Sequence, residues 1–426
     1  MTRTAPHRTA AIGWIPLAVL ATAQFLVVLS TSIVNVALPQ IRAGLDLTDT
    51  GQAWTVNAYV LLFGALLLPG GRAGDAYGLR RVFLLGTGLF AFSALGAALA
   101  PAVGALIAFR ALMGIGAALL APTALALVLM LHSGRQRGTA LGVWGAVSGA
   151  GGAAGVLLGG LLTSLFSWRA VFVVMVPLAL AVLVATWLLV ETDRPRGGST
   201  DAPGMVTVTT GLVAFAYGLT GPWPLAVVGL GLLGLFVVLQ RRSADPLLPA
   251  RMSVVAVPNT LMALLGAVWL GLFYFLPLYQ QRSLGYSPLE AGLTQLPLAL
   301  MITVSSWLTG RISGRRVLPL GLLVLATGLA WLSRTPADGT FLTDLLGPTL
   351  LIGAGLGVAF VRLTAMASTG VRAADNGLAG GLVNATRQIG GAVGLAFLTL
   401  LPSPGAAFLA SAVLTLLISA LSTRKA

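Results

Sequence analysis

Two arginines, Arg110 and Arg387, lie inside long apolar stretches of this sequence rather than in the short polar segments between them. A charge within a membrane span is costly and by default marks a substrate or ion pathway. Arginine stays protonated and offers five N–H donors, so its chemistry is to bind anions or backbone carbonyls. Two structural alternatives stay open: Arg110 snorkels to the near end of its span, and Arg387 pairs with backbone carbonyls.

Neutral polar residues in the apolar stretches follow helical spacing. Gln24, Thr31 and Asn35 share one face of the first stretch, and three polar residues from Asn384 onward share a face of the thirteenth. Any one of them is explained by an interhelical hydrogen bond worth about 0.6 kcal/mol. Together they predict a polar substrate pathway. Its candidate residues are Gln24, Thr31, Asn35, Asn57, Arg110, Gln295, Asn384, Arg387 and Gln388.

The acidic residues are placed differently from these two arginines. All 11 lie in polar segments or within about a turn of a span end. We therefore predict a neutral or anionic substrate rather than a cationic one, with Arg387 as its counter-charge. Any proton coupling then has two possible routes. Either a substrate carboxylate carries the proton, or one of Asp75, Glu290 and Asp344 lies deeper than the sequence places it.

Composition identifies the elements that must position these side chains. The chain has 426 residues, 57% hydrophobic and only 8% charged, with a mean hydropathy of +0.95. Soluble domains are about 25% charged, and the apolar stretches here are near 20 residues long without the alternation of barrel strands. An all-α integral membrane protein is predicted. With no cysteine and with both histidines, His7 and His132, in polar segments, we predict no metal site, cofactor or enzymatic activity.

The apolar stretches predict fourteen transmembrane helices in three groups. Six form an N-terminal bundle over 1–195, two are inserted within 196–245, and six form a C-terminal bundle over 246–426. The predicted spans are 13–38, 53–70, 82–100, 103–131, 138–163, 170–190, 204–220, 223–239, 256–280, 289–309, 316–333, 341–361, 376–400 and 403–421. The segment GRISGRR over 310–316 closes the tenth span much as 71–81 closes the second, and such repeated halves are typical of rocking transporters.

The basic residues predict the orientation. Of 25 in all, 19 fall on the side of the N-terminus, four on the other side and two within spans. The positive-inside rule then places both termini in the cytoplasm, with the chain spanning a bacterial cytoplasmic membrane. The net charge of +14 is spread over short loops in this way, so we predict the lipid bilayer and not nucleic acid as the partner.

The segment GRAGDAYGLRR over 71–81 lies between the second and third apolar stretches, which predicts a tight hairpin at the cytoplasmic face. Its spacing resembles the loop between helices two and three of the major facilitator superfamily. The chain departs from that pattern at Ala76 and Leu79, where basic residues are usual. The resemblance implies a cytoplasmic gate with Asp75 as its latch. The gate residues are Gly71, Asp75, Gly78, Arg80 and Arg81.

Glycines recur at three- or four-residue intervals in the fifth stretch, at Gly145, Gly149, Gly152, Gly155 and Gly159. They predict a flat helix face on which a neighbouring backbone packs closely and slides. The segment resembles the antiporter signature of exporting members of the superfamily, although Val156 stands where that signature has proline.

Three local segments carry a narrower resemblance: SIVNVALP over 32–39, FSWRAVF over 166–172 and RQIGGAVG over 387–394. With the fourteen spans they resemble the fourteen-helix drug:proton antiporter family, and above all the antibiotic exporters of actinomycetes. The resemblance implies a monomer that exports a small molecule as protons enter. Arg110 resembles the family's proton-transfer arginine, although Met113 replaces the usual glutamine.

Positions that carry acids in the family's cation exporters hold Ser30 and Asn57 here, which agrees with a neutral or anionic substrate. The chain has no Gly-x-x-x-x-Gly-Lys-Ser/Thr fingerprint, so direct ATP drive within it is excluded. A transporter of lipids or endogenous metabolites with the same fold, or a transport-inactive sensor or resistance protein, remains an alternative.

Overall fold

A computed structural model describes residues 14–132, 134–190, 201–243, 246–312, 314–336, 338–367, 369–371 and 376–423. These residues form fourteen long helical segments and no β-strand, and 11 of the segments are long and apolar enough to cross a membrane. The spans are α1 (Trp14–Leu45), α2 (Asp49–Tyr77), α3 (Leu79–Ala98), α4 (Val103–Leu131), α5 (Gly134–Leu165), α6 (Ala170–Leu189), α7 (Ala202–Thr220), α8 (Trp223–Arg242), α9 (Ala256–Arg282), α10 (Pro288–Thr309), α11 (Val317–Leu332), α12 (Phe341–Met366), α13 (Asn376–Leu398) and α14 (Pro404–Thr423). The predicted all-α fold with fourteen helices is confirmed.

Side chains at the helix starts satisfy backbone N–H groups that have no partner within the helix. The Thr48 hydroxyl accepts from Gly51 N at 3.1 Å before α2, and the Asp201 carboxylate accepts from Gly204 N at 3.0 Å before α7. Before α10, Ser287 forms a full capping box with the third helical residue. These caps fix where the chain turns back into the bilayer.

Three spans are interrupted, each two to four residues before a proline. α6 consists of Ala170–Val173 and Met175–Leu189, α10 of Pro288–Thr294 and Leu296–Thr309, and α12 of a π-turn Phe341–Leu345 followed by Leu346–Met366. The prolines are Pro177, Pro297 and Pro348. Because proline lacks an N–H, it leaves a carbonyl of the preceding turn without its helical partner, and the ladder shifts there.

The helices pack as two groups of six with a pair beside them. In the first group α1 packs on α5 and α6, while α4 packs on α2 and α3; in the second, α13 packs on α9, and α12 packs on α10 and α11. The two groups meet along α2 and α13, α5 and α10, and α1 and α9. A polar residue on any of these six facing helices is therefore placed to line a path between the groups.

The pair α7 and α8 lies against the first of these seams. Glycine at 229 of α8 packs against the backbone of Phe215 in α7, and α7 contacts both α2 and α13. The Trp54 indole N–H donates to Thr220 Oγ1 at 3.1 Å, and its ring meets Tyr217 edge to face. The inserted pair thus covers the seam between the two groups from outside.

The segment over 71–81 differs from the predicted hairpin loop. α2 stays helical through Tyr77 and α3 begins at Leu79, so Gly78 alone makes the turn. Gly78 has φ of 102°, a conformation that glycine adopts without a steric penalty. Helix α2 continues beyond the end of its apolar segment because no residue between Pro69 and Gly78 interrupts its backbone hydrogen bonds. The end of α2 and the start of α3 are therefore rigid where a loop was predicted.

Candidate functional site

Arg110 is fully buried among α1, α2 and α4. Its Nε donates to Thr55 O at 2.9 Å and its Nη1 to Ser30 O at 3.5 Å. The guanidinium lies over the Tyr59 ring, 4.4 Å from the centroid, and the Tyr59 hydroxyl donates to Val27 O at 3.2 Å. Complete burial excludes snorkelling to the end of the span. Arg110 instead ties three helices together through one charged group.

Arg110 and two other buried polar side chains, Asn35 and Asn57, have unused hydrogen-bonding atoms. Within the part of the chain that the structure describes, neither the amide nitrogen nor the amide oxygen of Asn57 makes a hydrogen bond. Asn35 Oδ1 and Arg110 Nη2 also have no hydrogen-bond partner among those residues. An unbonded buried amide atom costs about 1–3 kcal/mol. Asn35 lies on α1 and Asn57 on α2, two of the helices at the seams. Each of these atoms would gain a hydrogen bond from water or from a polar group of a ligand.

Arg387 lies half-buried on α13 in a different environment. Its Cζ is 5.8 Å from the ring centroids of both Trp269 on α9 and Phe360 on α12. Its Nη2 lies 3.5 Å from Asn384 Oδ1, at the limit for a hydrogen bond, and its Nε has no partner among the described residues. The pairing with backbone carbonyls considered for Arg387 is not observed. Its guanidinium has aromatic neighbours and unused donors.

Gln388 follows Arg387 but faces another helix. It is buried, and its Cβ lies against Gly64 of α2, so close that a methyl group at Gly64 would come within 2.7 Å of it. Asn384 is exposed and donates to Gly380 O of its own helix at 3.3 Å. The predicted trio is thus divided: Asn384 and Arg387 lie together, and Gln388 sits in the seam between α2 and α13.

The remaining predicted pathway residues, Gln24, Thr31 and Gln295, lie on α1 and α10. Thr31 donates to Val28 O of its own helix at 2.6 Å, and Gln24 is half-buried on α1. Gln295, at the break in α10, donates to Gln280 Oε1 at 3.2 Å inside the second group of helices. The nine predicted side chains are therefore divided between the two groups of helices, with Arg110 in the first group and Gln295 and Arg387 in the second.

The acids considered as deep proton carriers lie near the surface. Asp75 and Glu290 are exposed, and Asp344 is partly exposed in the first turn of α12. The Glu290 carboxylate accepts from Ser287 N at 2.8 Å, and that of Asp344 accepts from Thr340 N at 2.8 Å. These hydrogen bonds hold both carboxylates at helix starts. None of the three carboxylates is buried among the helices in this conformation, so their placement does not support a deep proton carrier, and the route of the proton stays a prediction.

Sequence reasoning missed a polar cluster that joins the two groups of helices at the ends opposite the chain termini. Asp49 of α2 pairs with Arg42 of α1 and, at 3.7 Å, with Arg282 of α9. Arg282 also donates to the buried Gln52. Beside them Gln281 of α9 donates to α1. Each residue looks like an ordinary loop residue at a span end, so only their convergence reveals the cluster.

Within this cluster, Gln281 makes the most direct connection between α1 and α9. Its Nε2 donates to Val36 O at 2.8 Å, and Gln40 Nε2 donates to its Oε1 at 3.0 Å. Pro39 has no N–H to bond Asn35 O, so the hydrogen-bond ladder of α1 is interrupted one residue before the Val36 carbonyl. A proline inside a span, near a polar residue, is the sequence signal that would have pointed here.

The gate residues lie on the side of the termini. Arg80 donates to Trp187 O at the end of α6 at 2.6 Å, and the nearby Arg72 donates to Pro246 O at 3.0 Å, just before the second group begins. Gly71 is half-buried, and a methyl group added to it would lie 3.7 Å from Pro122. Asp75 and Arg81 are exposed. This turn is therefore tied to both groups of helices.

The glycines of α5 face α1. A methyl group added at Gly155 would collide with the Ser32 side chain, and one at Gly159 would lie 2.6 Å from Ile33 O. Gly152 faces Val28 at a looser 4.0 Å. Gly145 and Gly149 lie outside the residues whose surroundings the structure describes. At Gly155 and Gly159 only a hydrogen atom fits between the two helices, whereas Gly152 has room for a methyl group.

We expect Gly159→Ala to lower both thermal stability and transport. The new methyl group would press on the Ile33 carbonyl, which belongs to rigid backbone, and such overpacking costs about 1–3 kcal/mol. Gly88→Ala is the matched control, because no atom lies within 4 Å of its added methyl. Thermal unfolding of the two purified variants measures the difference. Equal unfolding temperatures would contradict the close packing of α5 on α1.

Comparison with known proteins places this geometry in context. The family model described as Major Facilitator Superfamily matches residues 20–395. The puromycin resistance protein pur8 of Streptomyces alboniger is 40% identical over 420 residues, which cover 93% of this chain and 83% of that protein. The cephamycin export protein CmcT of Amycolatopsis lactamdurans is 40% identical over 407 residues, covering 90% and 84% respectively.

The fold also matches solved transporter structures. The crystal structure of a peptide transporter, POT, in complex with sulfate superposes with a TM-score of 0.74 and covers 96% of this chain and 94% of that one. The sequences are only 16% identical, so this likeness concerns the fold alone.

Proposed function

This chain belongs to the Major Facilitator Superfamily, and we propose that it exports an antibiotic or a related secondary metabolite by alternating access, driven by proton entry. The observation that carries the proposal is the similarity along almost the whole chain to relatives named for puromycin resistance and cephamycin export, each 40% identical. The two groups of six helices, with polar residues on the facing helices, support the same mechanism.

In alternating access the two groups rock about a substrate between them. The polar cluster of Arg42, Asp49, Gln52 and Arg282 joins the groups at one end, so that end is closed in this conformation. The same groups meet along α2 and α13 nearer the termini, where Leu68 packs against Gly381. We propose that the cluster breaks when the protein opens toward the far side, which is the side opposite the chain termini. The contacts of α2 with α13 would persist as the pivot of the rocking motion.

Transport in a sealed system tests the proposal. Proteoliposomes holding the full chain are assayed for movement of puromycin and of the cephamycin cefoxitin, with and without an imposed proton gradient. We expect gradient-dependent transport of at least one compound, abolished by a protonophore. Failure of a broad antibiotic panel to move, with or without a gradient, would overturn antibiotic export. Movement of labelled lipid instead would support the lipid-transporter alternative.

We further propose that the side carrying the termini is cytoplasmic, because 19 of the 25 basic residues were assigned to it. Single cysteines are clean probes, since the chain has none. Thr2→Cys and Lys425→Cys should resist an impermeant maleimide in intact cells, and Arg334→Cys, exposed beyond the end of α11, should react. Labelling of either terminal cysteine from outside would reverse the orientation.

We propose that Asp75 is the latch of the cytoplasmic gate. Its exposed carboxylate lies three residues before the turn at Gly78, on the N-terminal side of α3, where the helix dipole favours negative charge. Asp75→Asn keeps the size and removes the charge, and a charge-assisted hydrogen bond is worth about 1.5–3 kcal/mol. We therefore expect about a tenfold loss of transport with normal expression, and no loss for the exposed control Asp338→Asn. Transport at the parental rate by Asp75→Asn would exclude a latch.

A further inference from the structure

We infer that Arg387, Trp269 and Phe360 form a carboxylate-binding subsite of the transport pathway, and that the exported compound is an anion with a flat apolar group beside its carboxylate. The inference rests on the proposed export function and names its substrate class. It is carried by how the Arg387 side chain is held, by which of its donors are in use, and by what surrounds it.

The backbone of α13 is fixed against α9 at this level. A methyl group added at Gly266 would lie 3.1 Å from Arg387 Cα, and one added at Gly390 would lie 2.5 Å from Ala263 Cα. Because the two backbones touch at Arg387 and again about one turn later at Gly390, the Arg387 side chain emerges from a closely packed backbone. Trp269 lies one turn along α9 from Gly266, which places the indole beside the guanidinium.

The Arg387 guanidinium has more N–H donors than the described residues supply with hydrogen-bond acceptors. Of its five N–H groups, one meets Asn384 Oδ1 at 3.5 Å, and its Nε is buried and unbonded within the described residues. The ion pairs among those residues join Asp49 to Arg42 and Arg282, and none involves Arg387. A carboxylate bound to the fork by two parallel hydrogen bonds would satisfy these donors.

The two rings determine what else fits. Trp269 and Phe360 lie on different helices, each with its ring centroid 5.8 Å from Arg387 Cζ, and Trp269 also packs against Phe360 at 5.9 Å. A ligand whose carboxylate reaches the fork would place its adjoining atoms against these faces. Aromatic faces favour flat apolar groups, so the subsite selects an anion with such a group rather than a free inorganic anion.

Arg110 provides the contrast that assigns the subsite to Arg387. It is fully buried, bonds to two backbone carbonyls and stacks on Tyr59 at 4.4 Å, so its Nη2 is the one guanidinium nitrogen without a partner among the described residues. Arg387 is half-buried and has no backbone acceptor among the described residues. Arg110 thus holds helices of the first group together, whereas Arg387 lies on α13, one of the helices along which the two groups meet.

An anionic substrate also changes what drives export. Moving one negative charge out of the cell is favoured by an inside-negative potential, by about fifty-fold in concentration ratio per 100 mV. The electrical part of the proton-motive force would then act on the substrate itself. No acidic residue deep in the protein is required for that contribution, which agrees with the surface positions of Asp75, Glu290 and Asp344.

Matched ligand pairs test the subsite by binding. The purified full chain in nanodiscs is titrated with cefoxitin and its methyl ester, and with 1-naphthoate and 1-naphthamide. We expect each carboxylate to bind at least about tenfold more tightly than its neutral partner. Arg387→Gln should bring this ratio to about one, Arg387→Lys should give an intermediate ratio, and the surface control Arg334→Gln should leave it unchanged.

Several outcomes would overturn the subsite. They are equal affinity of the wild-type chain for both members of each pair, no binding of any carboxylate, or an unchanged ratio in Arg387→Gln. If Arg387→Gln fails to fold, the Arg387→Lys ratio decides, because lysine keeps the charge and loses the fork. Proton-driven transport of puromycin without carboxylate preference would leave export standing and remove the subsite. Preferential binding of the carboxylates by a chain that transports no compound would support the subsite and overturn the export function.

Discussion

Arg110→Met is expected to reduce transport about a hundredfold while the protein still folds in the membrane. Methionine fills a similar volume, and the carbonyls of Thr55 and Ser30 keep the bonds of their own helices. Folding therefore loses no obligatory partner. Transport loses the charged link among α1, α2 and α4, whose two hydrogen bonds are worth about 1.5–3 kcal/mol each. A group that rocks as one body needs these three helices to move together.

Arg169→Met is the matched control for Arg110→Met. Arg169 likewise donates to a backbone carbonyl, Ala100 O at 3.2 Å, and lies over an aromatic ring, that of Trp168 at 4.3 Å, but at the partly exposed start of α6. We expect less than a twofold effect there. Arg110→Lys should not rescue, because an ammonium group lacks the planar fork. Transport by Arg110→Met within about twofold of the parent, at equal expression, would show that this charge is dispensable.

The architecture was predictable because it follows from one strong physical constraint. A segment that crosses hydrocarbon must satisfy its own backbone, so each long apolar stretch has to be a helix. The fourteen stretches, including the short pair now seen as α7 and α8, could therefore be counted from hydropathy alone. The constraint does not set where a helix ends in water, and α2 accordingly runs to Tyr77, beyond its apolar part.

The placement of polar side chains was predictable only within one helix. Spacing put Asn384 and Arg387 on one face, and the structure has them in contact. Spacing does not say which helix lies opposite, and Gln388 proves to face Gly64 of α2. Gly64 was itself a signal, because a glycine within a span often marks close approach of another helix. Without contacts between distant segments, that signal names no partner.

The cluster that closes the far side could not be predicted for the same reason. Asp49 and Arg282 are 233 positions apart in the sequence, and each is a common kind of residue at a span end. Single surface ion pairs contribute little stability, with a median near 0–1 kcal/mol. What makes this set different is that it joins two bodies that must separate. That property belongs to the assembled fold and is absent from any one segment.

Cross-linking Gln40→Cys to Gln281→Cys is expected to stop transport almost completely and reversibly. In the parent these side chains meet across α1 and α9 at 3.0 Å, and Gln281 also holds Val36 O. If export requires this end to open, a covalent bridge blocks every cycle, whereas the loss of two amides removes only weak hydrogen bonds of about 0.5–1.5 kcal/mol each. A short bifunctional thiosulfonate should inhibit, and a reducing agent should restore activity. The native chain contributes no competing thiol.

The control pair is Ser333→Cys with Gly405→Cys, which lie against each other at the same end but within one group of helices. Bridging them leaves the two groups free to rock, so transport should continue at the parental rate. Mass spectrometry verifies that both pairs are bridged to the same extent. Full transport with the Gln40–Gln281 pair bridged would mean that α1 and α9 stay together throughout the cycle. The far side would then have to open elsewhere, between α2 or α5 and the facing helices of the second group.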